Sequence, residues 1–286
     1  MQNIYSYSRA TYTWSKLAFA ALLALGTAAT AQAQVLGYSP ATAQNVRTTY
    51  TDLGSTGTVI TTANNDDAAS TAQEIGFSFT FNSQSFTQFT LSTNGFIKLG
   101  ATGFSAPTLV NPLGSRDPAD VNIIAPSSYI DLYGAQDQTA NPTSFRVVTT
   151  GAVGSRVCTI QFKNLRDKAT PGTPPAPDIP AQMNTMQFQI KLYEGTNVID
   201  FVYGSWTAST GAATGQPFII GLKGTGPSSA DYLFAYKPSS QFPWSETTFN
   251  NPTTELLPHF VRNTFLPDAG RTYRFTPAPP NDAGVA

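Results

Sequence analysis

The stretch that decides the fold runs from Ile75 to Gly100 and reads IGFSFTFNSQSFTQFTLSTNGFIKLG. Its first half alternates large apolar residues with Gly, Ser and Thr, which is the two-residue period of a strand with one buried face. A polar turn and a second strand follow, and Asn94-Gly95 predicts another tight turn because Asn and Gly tolerate positive φ. The run Phe96–Leu99 then completes a predicted antiparallel meander.

The same alternation recurs along the rest of the chain. In Met186–Tyr193 every second residue is apolar, and a Gly-containing turn leads from it into Val198–Tyr203. Segments of this kind are separated by Gly, Pro and Asn, and none shows a convincing helical period. We therefore predict an all-β protein, an antiparallel two-sheet β-sandwich of about ten strands. The side chains predicted to lie in its core are Phe77, Phe79, Leu91, Ile160, Phe188, Ile190 and Phe201.

The N-terminal residues 1–33 are predicted to be a signal peptide. Two basic residues precede the apolar run Leu17–Ala29, which is too short for a bilayer that needs about 20 residues. Ala31-Gln32-Ala33 fits the small-x-small cleavage pattern, so we expect the mature chain to begin at Gln34. No other apolar run approaches membrane length, and we predict a secreted or cell-surface protein without membrane insertion of the mature chain.

The remaining sequence is divided into a β-sandwich domain, residues 34–276, and a Pro-rich tail, residues 277–286. The tail is typical of an inter-domain linker or of the truncated start of a further domain. Charged residues make up 12% of the chain, about half the usual ~25%. The basic residues are scattered rather than clustered, so nucleic acid is not an expected partner.

Four segments resemble one known family. Phe86–Leu99 resembles the Asn-Gly hairpin of NIDO-type (nidogen-like) extracellular domains, and Asn122–Leu132, Gly154–Asn164 and Met186–Gly204 are similar to segments that follow it in that family. The resemblance implies a non-enzymatic module for adhesion or extracellular interaction. Such domains occur in secreted and surface proteins of Gram-negative bacteria, which are often type IX secretion substrates.

The sequence contains no obvious catalytic set. His259 is the single histidine and Cys158 the single cysteine, and both contexts favour packed side chains. We therefore predict no catalytic residues, no enzyme activity and no cofactor. Asp131 with Asp137, or Asp66 with Asp67, could supply oxygen ligands for calcium, but turn-forming Asp is far commoner and no metal site is predicted. A pair of carboxylates for glycoside hydrolysis stays open, because such groups need only be close in space.

Aromatic side chains are the candidates for ligand binding. The predicted binding residues are Trp244, Tyr129, Tyr133 and Trp206. Trp244 ranks first because it follows Pro243 in the predicted loop Phe242–Phe265.

Two functions remain open. One is an exported surface or secreted module that binds an extracellular protein or polysaccharide in adhesion. The alternative is a carbohydrate-binding or accessory domain of a longer secreted hydrolase. An exposed row of Trp and Tyr on one sheet would favour the alternative, and scattered buried aromatics would favour the first.

Overall fold

The computed structural model describes residues 36–226, 228–251 and 256–278. The predicted signal peptide, residues 1–33, and residues 279–286 of the predicted tail lie outside the described residues. Within the described ranges no helix is both long and apolar enough to cross a bilayer. The helical elements in these ranges are two single-turn 3₁₀ helices, Ser229–Asp231 and Trp244–Glu246.

Eighteen strands account for the regular structure of the described part. In chain order they are β1 (Tyr38–Arg47), β2 (Thr58–Val59), β3 (Gln73–Phe81), β4 (Gln84–Ser92), β5 (Phe96–Leu99), β6 (Ile123–Ala125), β7 (Leu132–Gly134), β8 (Ser144–Thr150), β9 (Val157–Asp167), β10 (Met183–Tyr193), β11 (Ile199–Tyr203), β12 (Thr207–Ala208), β13 (Gln216–Phe218), β14 (Ile220–Lys223), β15 (Tyr232–Tyr236), β16 (Thr248–Asn250), β17 (His259–Val261) and β18 (Arg271–Pro277).

The strands form two large sheets and one small ladder. The first sheet has the order β1-β18-β11-β10-β9-β8-β2, with β7 against β9 and β12 against β10. The second has the order β16-β15-β14-β6-β5-β4-β3, and β13 pairs with β17. Every ladder between these strands is antiparallel. The predicted antiparallel two-sheet sandwich is therefore confirmed, with more strands than expected because several have only two or three residues.

The core lies between the two sheets and contains the residues that the alternation predicted. All seven side chains named above are buried, with at most 5% of any of them exposed. Phe79 and Leu91 come from the second sheet, whereas Phe188 and Phe201 come from the first, and they belong to one cluster. The buried position predicted for Cys158 is also confirmed. Burying one of these phenylalanine side chains contributes roughly 1.5–3 kcal/mol to stability.

The meander β3-β4-β5 is confirmed, with one difference on its outer side. The turn after Phe81 takes positive φ at Asn82 and Ser83, as a two-residue hairpin requires. Strand β5, however, is buried on both faces. The reason is that residues 100–122 fold over the outer face of the second sheet and form a second, smaller core around Phe96. The alternating pattern of β5 in the sequence could not predict that residues 100–122 lie over its outer face.

Candidate functional site

The two tryptophans predicted to bind a ligand are core residues. Trp244 is only 1% exposed, and its ring centroid lies 4.9 Å from that of Tyr203 and 4.4 Å from that of His259. Its indole N–H donates to the Phe265 carbonyl at 3.0 Å. Trp206 is 6% exposed and packs 5.3 Å from Trp244. A ligand could reach either ring only by displacing the core, so this placement does not support a binding role for them.

The segment around Trp244 also differs from the open loop that its prolines predicted. The range Phe242–Phe265 contains a 3₁₀ turn and the short strands β16 and β17. These elements fold Trp244 inward, against strands β11 and β18. Trp244 is therefore buried rather than part of an exposed aromatic row.

His259 lies beside Trp244 as a packed residue, as expected. Its Nε2 is 3.0 Å from the Thr247 hydroxyl and 2.8 Å from the Tyr273 hydroxyl. Burial lowers the pKa of His259 well below its ordinary value, and the nearby Lys237 lowers it further. The imidazole is therefore neutral and is enclosed by aromatic rings, out of reach of a substrate.

Tyr129 is in the opposite situation. Its side chain is 45% exposed, and its φ is +70°, a conformation that costs a bulky residue about 1–3 kcal/mol. The preceding Ser128 is fully buried; its hydroxyl donates to the Ile219 carbonyl, and its own carbonyl accepts the Ile219 N–H. The Tyr129 N–H donates to the Val110 carbonyl at 2.5 Å. These backbone anchors hold the tyrosine ring outward.

The buried Asn94 side chain joins the segments around Tyr129. Its Oδ1 accepts the Leu132 N–H at 3.0 Å, and its Nδ2 donates to Asp67 Oδ1 and to the Leu109 carbonyl, both at 3.3 Å. One amide thus links the β4–β5 turn to three other segments. The sequence predicted Asn94 only as a turn residue with positive φ, but in the turn itself Gly95 alone takes that conformation.

Gly95 is needed at this position for a second reason. A Cβ there would lie 2.9 Å from a methyl of Leu132 and 3.0 Å from the Cβ of Ser127. The Asn94-Gly95 turn is therefore packed directly against the loop that carries Tyr129. The sequence identified Phe86–Leu99 and Asn122–Leu132 only by their resemblance to a family. That resemblance did not reveal that the two segments contact each other.

Three carboxylates meet next to Asn94. Oxygen atoms of Asp66, Asp67 and Asp131 lie within 4.8 Å of one another, and the Lys168 ammonium is 2.7 Å from Asp66 and 2.9 Å from Asp131. Partial burial and the neighbouring Asp67 and Asp66 raise the pKa of Asp131. Partial burial lowers the pKa of Lys168, but the carboxylates of Asp66 and Asp131 raise it by more, so the net shift is upward.

Oxygen ligands of this kind could hold a hard cation such as calcium. Lys168 already supplies a positive charge to two of the three groups, so the cluster is partly neutralised by the chain itself. Asp137 does not join the cluster, because its carboxylate accepts the N–H groups of Thr139 and Ala140 within a turn.

Tyr133 completes this region. Its ring is half-buried, with the Arg166 guanidinium carbon 4.2 Å from the ring centroid and the Lys168 nitrogen 5.5 Å from it. Such cation–π contacts hold the basic groups in place. We call the whole region the Tyr129 surface; it comprises Tyr129, Tyr133, Asp66, Asp67, Asp131, Arg166 and Lys168.

The Tyr129 surface combines an exposed ring with carboxylate acceptors and basic donors, which begin at Asp131, two residues further along the chain. Its residues come from three separate stretches of the chain, and Asn94 and the β7–β9 ladder bring them together. This combination suits recognition by hydrogen bonding and ring contact.

Comparison with known proteins places the chain in a family. The family described as NIDO related matches residues 37–277, which include both sheets and the whole Tyr129 surface. No curated protein and no solved structure matches the chain. As the resemblance of the four segments predicted, the chain belongs to the NIDO-related family.

Proposed function

We propose that this protein is an exported, non-enzymatic adhesion or interaction module that binds an extracellular protein through the Tyr129 surface. Family membership supports an extracellular β module. The observation that carries the proposal is the exposed Tyr129 ring, which lies at positive φ in a backbone anchored by the hydrogen bonds of Ser128 and of the Tyr129 N–H.

The strain at Tyr129 favours a functional role over a structural one. Glycine would adopt the same φ without strain, and a side chain that is nearly half exposed contributes little to the core. Tyrosine is enriched among the residues that dominate protein–protein binding energy, because it brings a large rigid ring and a polar tip. The neighbouring charged groups form a polar rim suited to orienting a partner.

The chemistry of the buried groups supports binding without catalysis. His259 is buried and neutral, and burial raises the pKa of the Cys158 thiol to about 12. The side chains that most often serve as base and nucleophile are therefore inaccessible and poorly activated. Two of the clustered carboxylates are bound to Lys168.

The test compares binding of the purified protein and two variants to a panel of extracellular matrix proteins. Tyr129→Ala removes the ring, and Val153→Ala is the matched control because Val153 is 84% exposed at a different turn. We expect Tyr129→Ala to weaken binding at least tenfold, about 1.4 kcal/mol, and Val153→Ala to leave it unchanged.

Equal binding by the folded Tyr129→Ala variant would contradict the assigned surface. Bond cleavage in any member of the panel by the purified protein would contradict the non-enzymatic function.

A further inference from the structure

A cavity of about 300 Å³ lies at the end of β14, outside the Tyr129 surface. Its size is at the lower end of the ~300–1,000 Å³ typical of small-molecule sites. The lining residues that matter for its chemistry are Ser115, Arg116, Asp117, Val121, Lys223 and Tyr232.

One wall is held in place by buried charged groups. The Lys223 ammonium, in a side chain that is nearly fully buried, donates to the carbonyls of Pro112 and Ser115 at 3.1 and 2.5 Å. The buried Asp120 accepts the hydroxyls of Ser105 and Ser115, both at 2.6 Å. Residues on both sides of Arg116 are thus anchored, so the wall is preorganised.

The part of the lining at Gly226 is equally constrained. The buried Asp231 accepts the N–H of Gly226 at 3.0 Å and the hydroxyl of Ser228 at 2.5 Å. A Cβ on Gly226 would lie 2.5 Å from an Asp231 oxygen, so a larger residue does not fit there. A cavity with two fixed walls binds a ligand without first having to order its own lining.

Tyr232 supplies an aromatic face. Its half-buried ring lies nearly parallel to Phe234, with an interplanar angle of 15° and a centroid distance of 5.6 Å. Phe234 therefore supports the ring while Tyr232 lines the cavity. A supported ring of this kind suits stacking against the apolar face of a small ring-shaped ligand.

Arg116 and Asp117 define the polar requirement of the ligand. Both are exposed, and within the described residues they form no ion pair with each other; Asp117 Oδ1 accepts only the Ala119 N–H. Arg116 and Asp117 carry opposite charges on neighbouring residues, and the Lys223 ammonium already donates to two carbonyls, so the lining does not strongly favour a ligand of either charge. Hydroxyl groups can accept from the guanidinium and donate to the carboxylate at the same time.

We propose that this cavity binds one neutral sugar unit, stacked on Tyr232 and hydrogen-bonded through its hydroxyls to Arg116 and Asp117. The site is separate from the Tyr129 surface and does not depend on the function proposed there. A free sugar and a sugar residue of a polysaccharide chain present the same chemistry to this site.

The test measures saturation-transfer NMR and calorimetric binding of the purified protein to methyl glycosides of neutral hexoses. The corresponding uronic acids and amino sugars are measured alongside, and a neutral polysaccharide distinguishes chain-borne from free sugar. We expect binding of at least one neutral glycoside, weakened about tenfold by Tyr232→Ala and by Arg116→Ala. Tyr232→Phe keeps the ring and should retain most of the affinity, and Tyr129→Ala should leave sugar binding unchanged.

Three results would overturn the proposal. They are no transfer to any neutral glycoside, tighter binding of the charged sugars than of the neutral ones, and unchanged affinity in a folded Tyr232→Ala, Arg116→Ala double variant. Loss of sugar binding in Tyr129→Ala would overturn it as well, because it would place the sugar site on the Tyr129 surface. Failure of the sugar test leaves the protein-binding test intact. The protein-binding test is decided by Tyr129→Ala on protein ligands, whereas the sugar test is decided by Tyr232→Ala and Arg116→Ala on glycosides.

Discussion

The segments around Trp244 and Tyr129 appear alike in the sequence but have opposite environments in the fold. Both place an aromatic residue among turn-forming residues, and both were predicted to contact a ligand. Trp244 packs between the sheets with 1% of its surface exposed, whereas Tyr129 is 45% exposed. The difference lies in the backbone. Short strands turn Trp244 inward, and the hydrogen bonds of Ser128 and of the Tyr129 N–H hold the Tyr129 ring outward. Polar flanking residues therefore do not show whether an aromatic is buried.

The largest effect is expected from Trp244→Ala. This change leaves a cavity among Tyr203, Trp206 and His259, and it also removes the hydrogen bond to the Phe265 carbonyl. We expect the free energy of unfolding to fall by about 3–5 kcal/mol, as measured by urea denaturation. A loss below about 1 kcal/mol, together with a loss of ligand binding, would instead favour the surface role predicted from sequence.

Asn94→Ala should have the next largest effect on stability. It tests the segment around Tyr129. It removes three hydrogen bonds and leaves the buried Leu132 N–H without its partner. We expect a loss of about 2–3 kcal/mol and weakened partner binding, since Asp67 and β7 lose their link. Asn197→Gly is the control: this Asn also lies in a hairpin turn, at a φ of +52° that glycine adopts without strain, and its Oδ1 accepts a single N–H, from Thr80. An equal loss in both variants would contradict the linking role of Asn94.

The Trp244 region should also be sensitive to acid through His259. Its pKa in the folded protein is below the ordinary 6.5, so the unfolded chain takes up the proton first. The contribution of neutral His259 to the free energy of unfolding is therefore fully present above pH 6.5. It is lost as the pH falls below that value, with a slope of up to about 1.4 kcal/mol per pH unit. Urea denaturation from neutral to acidic pH, compared with His259→Gln, isolates this slope. If the free energy of unfolding fell equally with pH in the unmodified protein and in His259→Gln, this role of His259 would be contradicted.

The smallest change in stability is expected from Tyr129→Gly, which separates strain from function. Glycine relieves the positive φ but raises the entropy of the unfolded chain, so we expect the stability to change by no more than about 1 kcal/mol. Partner binding should be lost as in Tyr129→Ala. A large loss of stability, measured in the same denaturation assay, would show that the ring is structural.

The alternating pattern of the strands was enough to predict the fold class and the core side chains of this protein. Alternation in β3 and β10 predicted which side chains enter the core, because the two-residue period is a property of a single strand. Four family-like segments predicted membership in the NIDO-related family. The packed positions of Cys158 and His259 also followed from their apolar surroundings.

Only the tertiary structure decided which polar and aromatic residues meet. Asp66 and Asp131 lie 65 positions apart in the chain, and Asn94 contacts segments before and after its own hairpin. Such contacts depend on sheet order and register, and on the cover formed by residues 100–122, none of which leaves a periodic trace in the sequence. The inward turn of Trp244 and the outward position of Tyr129 have the same origin, because distant backbone partners direct each side chain.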